Sequence, residues 1–229
     1  MTRDELQVAV SRVPQWMHAI DLGHGILTPG MKGPEVLAAK WADLEVDVAG
    51  RSVLDVGAGD GWFSFEAERR GAARVVALDS GARSARAGFE LAHATLGSAV
   101  QPVAGELAGV GDALGTFDVV LLLGVLCRAT DPLTLLRHVR ARTAGEAIIE
   151  TEAVVLRDCD AVPLARLMLG DERDVDAANH WVPNLTALVA LCLKAGFAAA
   201  EPLCKPDGLA MAPRGRPIHY RAVVRATVA

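Results

Sequence analysis

Apolar and polar positions form their clearest pattern in residues 51–79. Ser52 to Val56 is a short apolar run, which predicts a buried strand. A second apolar run, Arg74 to Leu78, ends on Asp79. Between the two runs, a helical stretch from Asp60 to Arg70 overlaps the end of a series of glycines at alternate positions, Gly57, Gly59 and Gly61. The pattern predicts a β-α-β unit whose first turn is rich in glycine.

Helices and strands alternate along most of the remaining chain. Composition and periodicity predict further helices at residues 1–13, 34–44, 82–96, 132–142 and 185–195. Short apolar runs predict further strands at residues 99–103, 116–123, 147–151, 197–203 and 218–224. This alternation predicts an α/β fold: a Rossmann-like, doubly wound sheet of about seven strands, mostly parallel, with a C-terminal antiparallel hairpin.

Two segments fall outside this alternation. Residues 1–50 precede the first strand and combine two predicted helices with a glycine-rich loop, Trp16 to Gly30, so we expect an N-terminal helical cap. Residues 51–229 form the main domain. Within it, periodicity is lost at residues 152–184, which is long for a connection and typical of a lid or substrate-binding insertion.

The glycine turn and the acid that ends the second run indicate a nucleoside ligand. Glycine lets backbone N–H groups approach a ligand closely. A carboxylate at the end of the second strand lies where ribose hydroxyls bind in such a sheet. A dinucleotide-binding turn has the spacing G-x-G-x-x-G, whereas this turn has three alternate glycines with Asp55 two residues ahead. Asp60, at the start of the helix, would also repel a pyrophosphate.

The spacing [DE]-x-G-x-G-x-G resembles motif I of the class I S-adenosylmethionine-dependent methyltransferases. The resemblance implies S-adenosylmethionine as cofactor and S-adenosylhomocysteine as product. The resemblance implies that Asp55 and the glycine turn surround the methionine moiety and that Asp79 binds the ribose. It also implies that Glu106 and Leu107 lie at the adenine-binding position of this fold. The cofactor-binding residues that it implies are Asp55, Gly57, Ala58, Gly59, Gly61, Asp79, Ser80, Glu106, Leu107 and Gly124.

Nearly the whole chain is similar to one branch of that family, the tRNA uridine-34 carboxymethyltransferases and their methoxyuridine methyltransferase-like relatives. The matching pieces are Trp16 to Gly30, Lys40-Trp41, Phe117 to Val120, Gly124 to Leu126, Asp131-Pro132, His180 to Asn184 and Ala195 to Phe197. Those tRNA enzymes have an aromatic-histidine pair after Gly-Val-Leu, and its tyrosine helps to hold the carboxyl of their carboxymethyl donor. Here the pair is Cys127-Arg128, and no long basic N-terminal region is evident. Both departures favour plain S-adenosylmethionine and a small acceptor.

Composition and charge limit the classes of binding partner that the sequence predicts. The formal net charge of −5 argues against nucleic acid, because phosphate neutralisation needs a clustered basic surface. The densest apolar run, Val119 to Leu126, is strand-sized and too short for a membrane span. Four cysteines show no C-x-x-C pair or zinc spacing, so we expect no metal site and a reducing cytoplasm. The N-terminus shows no signal-peptide core, and the oligomeric state is left open.

Two histidines are candidates for a catalytic base, which is needed only if the acceptor must lose a proton. His18 lies in the predicted cap beside Trp16, and His180 lies in the predicted insertion beside Trp181. A histidine titrates in the right range for this task, and the alternative for each is a hydrogen-bonded loop residue. Asp21 either orients His18 or forms an Asx turn.

Trp16 and Trp181, beside these histidines, are candidates for walls of the acceptor pocket, and Arg128 is a candidate to meet an acidic acceptor or the carboxylate of the donor. Core packing of the tryptophans and a surface ion pair of the arginine are the alternatives. The sequence thus predicts in-line methyl transfer to an oxygen or nitrogen of a small molecule, as in natural product biosynthesis. A tRNA wobble-uridine modifying enzyme and a non-catalytic S-adenosylmethionine-binding protein remain as alternatives, and the glycine spacing disfavours an NAD-dependent enzyme.

Overall fold

The computed structural model describes residues 1–81, 83–155, 159, 161–169, 178–204 and 217–229. The helices within these residues are α1 (Arg3–Arg12), α2 (Pro34–Asp43), α3 (Trp62–Arg69), α4 (Arg83–Leu96), α5 (Pro132–Arg142) and α6 (Leu185–Lys194). The strands are β1 (Ser52–Val56), β2 (Arg74–Asp79), β3 (Gln101–Ala104), β4 (Phe117–Leu123), β5 (Thr143–Val155), β6 (Ala165–Leu167), β7 (Trp181–Pro183), β8 (Ala199–Cys204) and β9 (Ile218–Thr227). Short 3₁₀ helices cover Gly111–Leu114 and Leu126–Arg128.

Seven strands form one sheet in the order β3-β2-β1-β4-β5-β9-β8. β2 pairs in parallel with β1 and with β3, and β4 pairs in parallel with β5. β9 runs antiparallel to both of its neighbours, β5 and β8. The predicted Rossmann-like sheet with a C-terminal antiparallel hairpin is therefore confirmed. The predicted connection of that hairpin runs from Lys205 to Pro217, and residues 205–216 of it lie outside the described residues.

The first compact unit of the chain is Met1–Val110. β1 is buried at every residue after the first, and β2 is buried from Val75 to Leu78, whereas the edge strand β3 is mostly exposed. A capping box between Thr2 and Glu5 begins α1, and this helix buries Leu6 and Val10. The predicted N-terminal cap belongs to this unit together with β1, β2 and β3, and its separate role as a cap stays a prediction.

The second compact unit is Gly111–Ala229. Each of its long helices begins at a side-chain cap. Asp131 accepts a hydrogen bond from the N–H of Thr134 at the start of α5, and Asn184 accepts one from the N–H of Ala187 at the start of α6. β6 and β7 form a separate two-stranded antiparallel sheet in this unit.

β5 is longer than the predicted strand at residues 147–151. It pairs with β9 from Glu146 to Val155, so the start of the predicted insertion at residue 152 falls inside the strand. The predicted strand contained Glu150 and ended before Glu152, the second carboxylate in the run. Both carboxylates pair with Arg221 of β9, and this cross-strand pairing lets a charged stretch continue the sheet.

Candidate cofactor and active site

The glycine turn after β1 follows a backbone path that glycine adopts without strain. Gly57, Gly59 and Gly61 have φ angles of 78°, 60° and 92°. The N–H groups of Gly57 and Ala58 donate to the carbonyl oxygen of Leu78 at 2.8 and 3.1 Å, which fixes the turn to β2. An added Cβ on Gly59 would meet no heavy atom within 4 Å, so the turn leaves open space at that position.

Asp79 ends β2 with its carboxylate held by the backbone. Gly59 donates its N–H to Oδ2 at 2.9 Å, and Gly81 donates its N–H to Oδ1 at 3.0 Å. An ionised carboxylate has about four acceptor positions, so both oxygens keep capacity for a further donor. The side chain is partly exposed and lines a cavity of about 230 Å³ together with Phe89 and His93 of α4. A partly exposed carboxylate at such a cavity suits the hydroxyl pair of a ribose.

The other predicted nucleoside contacts lie close to the ends of β2 and β3. Ser80 is exposed next to Asp79. Glu106 is exposed, Leu107 is buried, and the carbonyl oxygen of Glu106 accepts the N–H of Gly109 at 2.8 Å. The contacts of these residues with a cofactor stay predictions.

Asp55 is a buried carboxyl in β1, with 2% of its surface exposed. The hydroxyl of Ser64 in α3 donates to its Oδ2 at 2.6 Å. Burial raises the pKa of Asp55 to about 6, although the Ser64 hydrogen bond and the nearby His18 act in the opposite direction. A cationic group placed beside Asp55 would offset this cost of burial.

Asp60 holds His18, a role that the sequence reasoning did not assign to it. Oδ1 of Asp60 bonds to Nδ1 of His18, while Oδ2 accepts the backbone N–H groups of Met17 at 2.7 Å and of His18 at 2.9 Å. The side chains of His18 and Asp60 are 9% and 1% exposed. The two residues are 42 positions apart, so no local spacing links them, and the one available signal was an acid between two glycines.

Asp21 does not orient His18. Its Oδ1 accepts the N–H of Gly23 at 2.9 Å, which is an Asx turn. The turn interpretation of Asp21 is therefore confirmed.

Trp16 lies in the interior of its unit, with 2% of its surface exposed. Its Nε1 donates to the carbonyl oxygen of Val10 at 3.3 Å, and a Cβ on Gly88 would lie 3.2 Å from its ring. Core packing accounts for these contacts, and a role for Trp16 in an acceptor pocket stays a prediction.

Further candidate residues lie in the second unit, around the 3₁₀ helix that follows β4. The N–H of His180 donates to the carbonyl oxygen of Cys127 at 2.8 Å, and Nε1 of Trp181 donates to that of Ala129 at 2.9 Å. His180 and Arg128 are exposed, while Trp181 is 9% exposed. The hydrogen bonds bring His180, Trp181 and Arg128 into one neighbourhood, and their contacts with an acceptor stay predictions.

Gly124 follows β4 with a φ of 75° and donates its N–H to the carbonyl oxygen of Glu150 at 2.8 Å. A Cβ at this position would lie 3.2 Å from Nη2 of Arg221. Since that guanidinium pairs with Glu150, the missing side chain leaves room for the ion pair. The predicted contact of Gly124 with the cofactor stays a prediction.

The described residues contain no group of three or more His, Cys, Asp or Glu side chains placed to hold a metal ion. In the same part of the chain, no helix combines the length and the apolar character needed to cross a bilayer.

The fold and the geometry of the glycine turn define a class I S-adenosylmethionine-dependent methyltransferase. A family model described as a methyltransferase domain matches residues 32–201, and the chain belongs to this family. S-adenosylmethionine is the cofactor of the class, and S-adenosylhomocysteine is its product.

Curated relatives include tRNA U34 carboxymethyltransferases. The alignment with the enzyme of Methylococcus capsulatus is 28% identical over 209 residues and covers 87% of this chain and 61% of that protein. The alignment with the enzyme of Campylobacter jejuni is 26% identical over 161 residues and covers 69% of this chain and 53% of that protein. The chain thus spans about half the length of the curated relatives it matches first.

Solved structures show the same fold. The N-terminal domain of EvdMO1 with S-adenosylhomocysteine bound is similar with a TM-score of 0.71 and 19% identity, covering 100% of this chain and 98% of that chain. The 1,6-didemethyltoxoflavin-N1-methyltransferase of Burkholderia thailandensis is similar with a TM-score of 0.53 and 19% identity, covering 85% of this chain and 76% of that chain. At this level of identity the likeness supports the fold.

Proposed function

We propose that the protein transfers a methyl group from S-adenosylmethionine to an oxygen or nitrogen of a small molecule, as in secondary metabolism. The observation that carries the proposal is the carboxylate of Asp79, oriented by Gly59 and Gly81 beside a turn of three glycines. Membership of the methyltransferase family supports the reaction class.

The residues present fit the cofactor. Asp79 would accept hydrogen bonds from the ribose hydroxyls, and the open space beside Gly59 admits a ligand close to the backbone. Asp55 would be the anionic group nearest to the cationic methionine moiety that the resemblance places at the turn. When bound, S-adenosylmethionine supplies an electrophilic methyl group on a sulfonium. The protein's main task is to align the acceptor with that methyl, and such positioning can supply about 7–11 kcal/mol.

A small acceptor is favoured by charge and by two structural relatives. The net charge of −5 is unfavourable for a polyanionic partner. The EvdMO1 domain was solved in the presence of S-adenosylhomocysteine and D-fucose, and the Burkholderia enzyme with 1,6-didemethyltoxoflavin. Sugars and small heterocycles are therefore the first acceptors to test.

Calorimetric titration with S-adenosylmethionine, S-adenosylhomocysteine and NADH in parallel tests the cofactor. We expect micromolar binding of the two sulfur compounds and no binding of NADH. Release of S-adenosylhomocysteine in the presence of D-fucose and a panel of sugars, phenols and amines then tests transfer. Absence of binding by both sulfur compounds would overturn the proposal, and binding without transfer to any acceptor would favour a non-catalytic binding protein.

A tRNA wobble-uridine modifying enzyme is the second candidate, because the curated relatives described above are tRNA U34 carboxymethyltransferases. Cys127 and Arg128 replace the aromatic-histidine pair of those enzymes, which argues against the carboxymethyl donor. Incubation with bulk tRNA and labelled S-adenosylmethionine separates the two candidates. Salt-sensitive tRNA binding with label transfer would favour the tRNA function, and we expect neither.

A further inference from the structure

The carboxylate of Asp60 is held by one short segment of the chain. Its two oxygens take the backbone N–H groups of Met17 and His18 and the Nδ1 of the His18 ring. Asp60 is 1% exposed, so water hardly reaches it and these hydrogen bonds compensate its charge. The same residue lies between Gly59 and Gly61, so His18 is attached to the turn that presents Asp79.

Contacts within the segment around His18 also fix the position of this residue. Thr28 donates its hydroxyl to the carbonyl oxygen of His18 at 2.8 Å and accepts the N–H of Ile20, also at 2.8 Å. A Cβ on Gly30 would lie 2.0 Å from the carbonyl carbon of His18, so only glycine permits this approach. The rings of His18 and Phe63 are also in contact at an interplanar angle of 88°, with centroids 5.7 Å apart. The position of the imidazole is thus fixed from several sides.

The hydrogen bond to Asp60 sets the tautomer of His18. An ionised carboxylate only accepts hydrogen bonds, so the proton of the neutral ring lies on Nδ1 and the lone pair lies on Nε2. In the described part of the chain, Nδ1 has Asp60 as its partner and Nε2 makes no hydrogen bond. The charged groups that face the ring are Asp60 and, within electrostatic range, Asp55.

We propose that His18 is the proton acceptor for a hydroxyl substrate and that Asp60 is its positioning residue, an inference that rests on the proposed methyl transfer. The substrate hydroxyl passes its proton to Nε2, its oxygen electron pair forms the bond to the methyl carbon, and the carbon–sulfur bond breaks with its pair left on sulfur. An amine acceptor, which already has a free lone pair at neutral pH when its pKa is low, does not need this base. The pair therefore assigns the acceptor to alcohols or phenols.

Nitrogen-15 NMR of the histidine rings tests the geometry without turnover. His18→Gln assigns the resonance, and we expect the Nδ1–H tautomer for wild-type His18 and a change of its ring shifts when S-adenosylhomocysteine is added. Asp60→Asn should abolish the tautomer preference. Asp21→Asn is the matched control, because Asn forms the same Asx turn on the same loop and should leave the His18 resonance unchanged. An Nε2–H tautomer in the wild type would overturn the proposal.

Turnover with hydroxyl and amine acceptors of the same scaffold, such as phenols and anilines, tests the chemistry. We expect His18→Gln and Asp60→Asn to bind S-adenosylhomocysteine within about threefold of the wild type while kcat for a hydroxyl acceptor falls by roughly 10²–10⁴-fold and KM is nearly constant. Full hydroxyl turnover by either variant would reduce the pair to a structural contact. If the wild type binds no S-adenosylhomocysteine, the proposed function fails first, and the NMR result still decides whether the ring is held as stated.

Discussion

The buried carboxyl of Asp55 should cost the protein stability at neutral pH, and Asp55→Asn should recover it. The pKa of Asp55 is raised from 3.8 to about 6, chiefly by burial. A shift of about two units corresponds to roughly 3 kcal/mol between the folded and unfolded states. Asn has no charge to bury, and its amide oxygen can still accept the hydroxyl of Ser64.

The pH dependence follows from the direction of the shift. Above about pH 6, Asp55 is charged in both states, and the folded state bears the full cost of burial. Between about pH 6 and pH 4 the folded state binds more protons than the unfolded state, so the stability of the wild type rises as the pH falls. The advantage of Asp55→Asn should therefore be largest at pH 8 and should nearly vanish at pH 4.

Urea unfolding at half-unit steps from pH 4.5 to pH 8 measures this difference. Asp47→Asn is the matched control, because Asp47 is exposed and also accepts a backbone N–H, that of Ala49 at 3.0 Å. We expect a gain of about 1–3 kcal/mol at pH 8 for Asp55→Asn and a flat profile for the control. A gain that does not change with pH, or a variant less stable than the wild type at pH 8, would refute the reasoning.

Three further substitutions test other parts of the structure. Asp79→Ala should weaken S-adenosylhomocysteine binding by about 1.5–3 kcal/mol, because it removes hydrogen bonds to the ribose. Calorimetry measures this loss, and the control Asp47→Ala should bind like the wild type. Unchanged affinity of Asp79→Ala would show that Asp79 is not part of the site. Gly30→Ala should lower stability by about 3 kcal/mol or more because of its contact with His18, whereas Gly33→Ala, with no atom within 4 Å of its Cβ, should cost about 1 kcal/mol or less. Equal melting temperatures for these two variants would contradict the close approach. Arg221→Met should lower the free energy of unfolding by about 2–3 kcal/mol, because the side chain of Glu150 is 7% exposed and loses its cation. Arg69→Met, whose ion pair lies on the surface, should lower it by under about 1 kcal/mol. Equal losses in urea unfolding would contradict this ranking.

The sequence predicted well what depends on neighbours in the chain. Strand β1, the positive φ of the glycines and the acid at the end of β2 all lie within thirty residues, and each has a local signal. The helix starts at Asp131 and Asn184 carry their own caps. These features could be read without knowing which strands pair.

Features that depend on distant partners were missed. The bond from Asp60 to His18 joins residues 42 positions apart, and the pair of Glu150 with Arg221 joins residues 71 apart. The first omission left Asp21 as a candidate partner of His18. The second left the carboxylates of β5 without a known cation, and the predicted strand therefore ended at residue 151. Charged residues inside a strand or turn carry no periodic signal of their own, so their role appears only when the partner is known.

The three acids around the turn bear on the choice of cofactor. Asp55 is the next-to-last residue of β1, Asp60 lies in the turn two residues before α3, and Asp79 ends β2. This is the region where a doubly wound sheet binds its nucleotide. Carboxylates there oppose the pyrophosphate of a dinucleotide, because the helix start would otherwise attract it. A cofactor with a sulfonium and an ammonium group would gain from the charges of Asp79 and above all of Asp55, whose pKa is raised by burial, whereas the carboxylate of Asp60 is already paired with His18. The acids that make this turn a poor site for NAD thus make it a suitable one for S-adenosylmethionine.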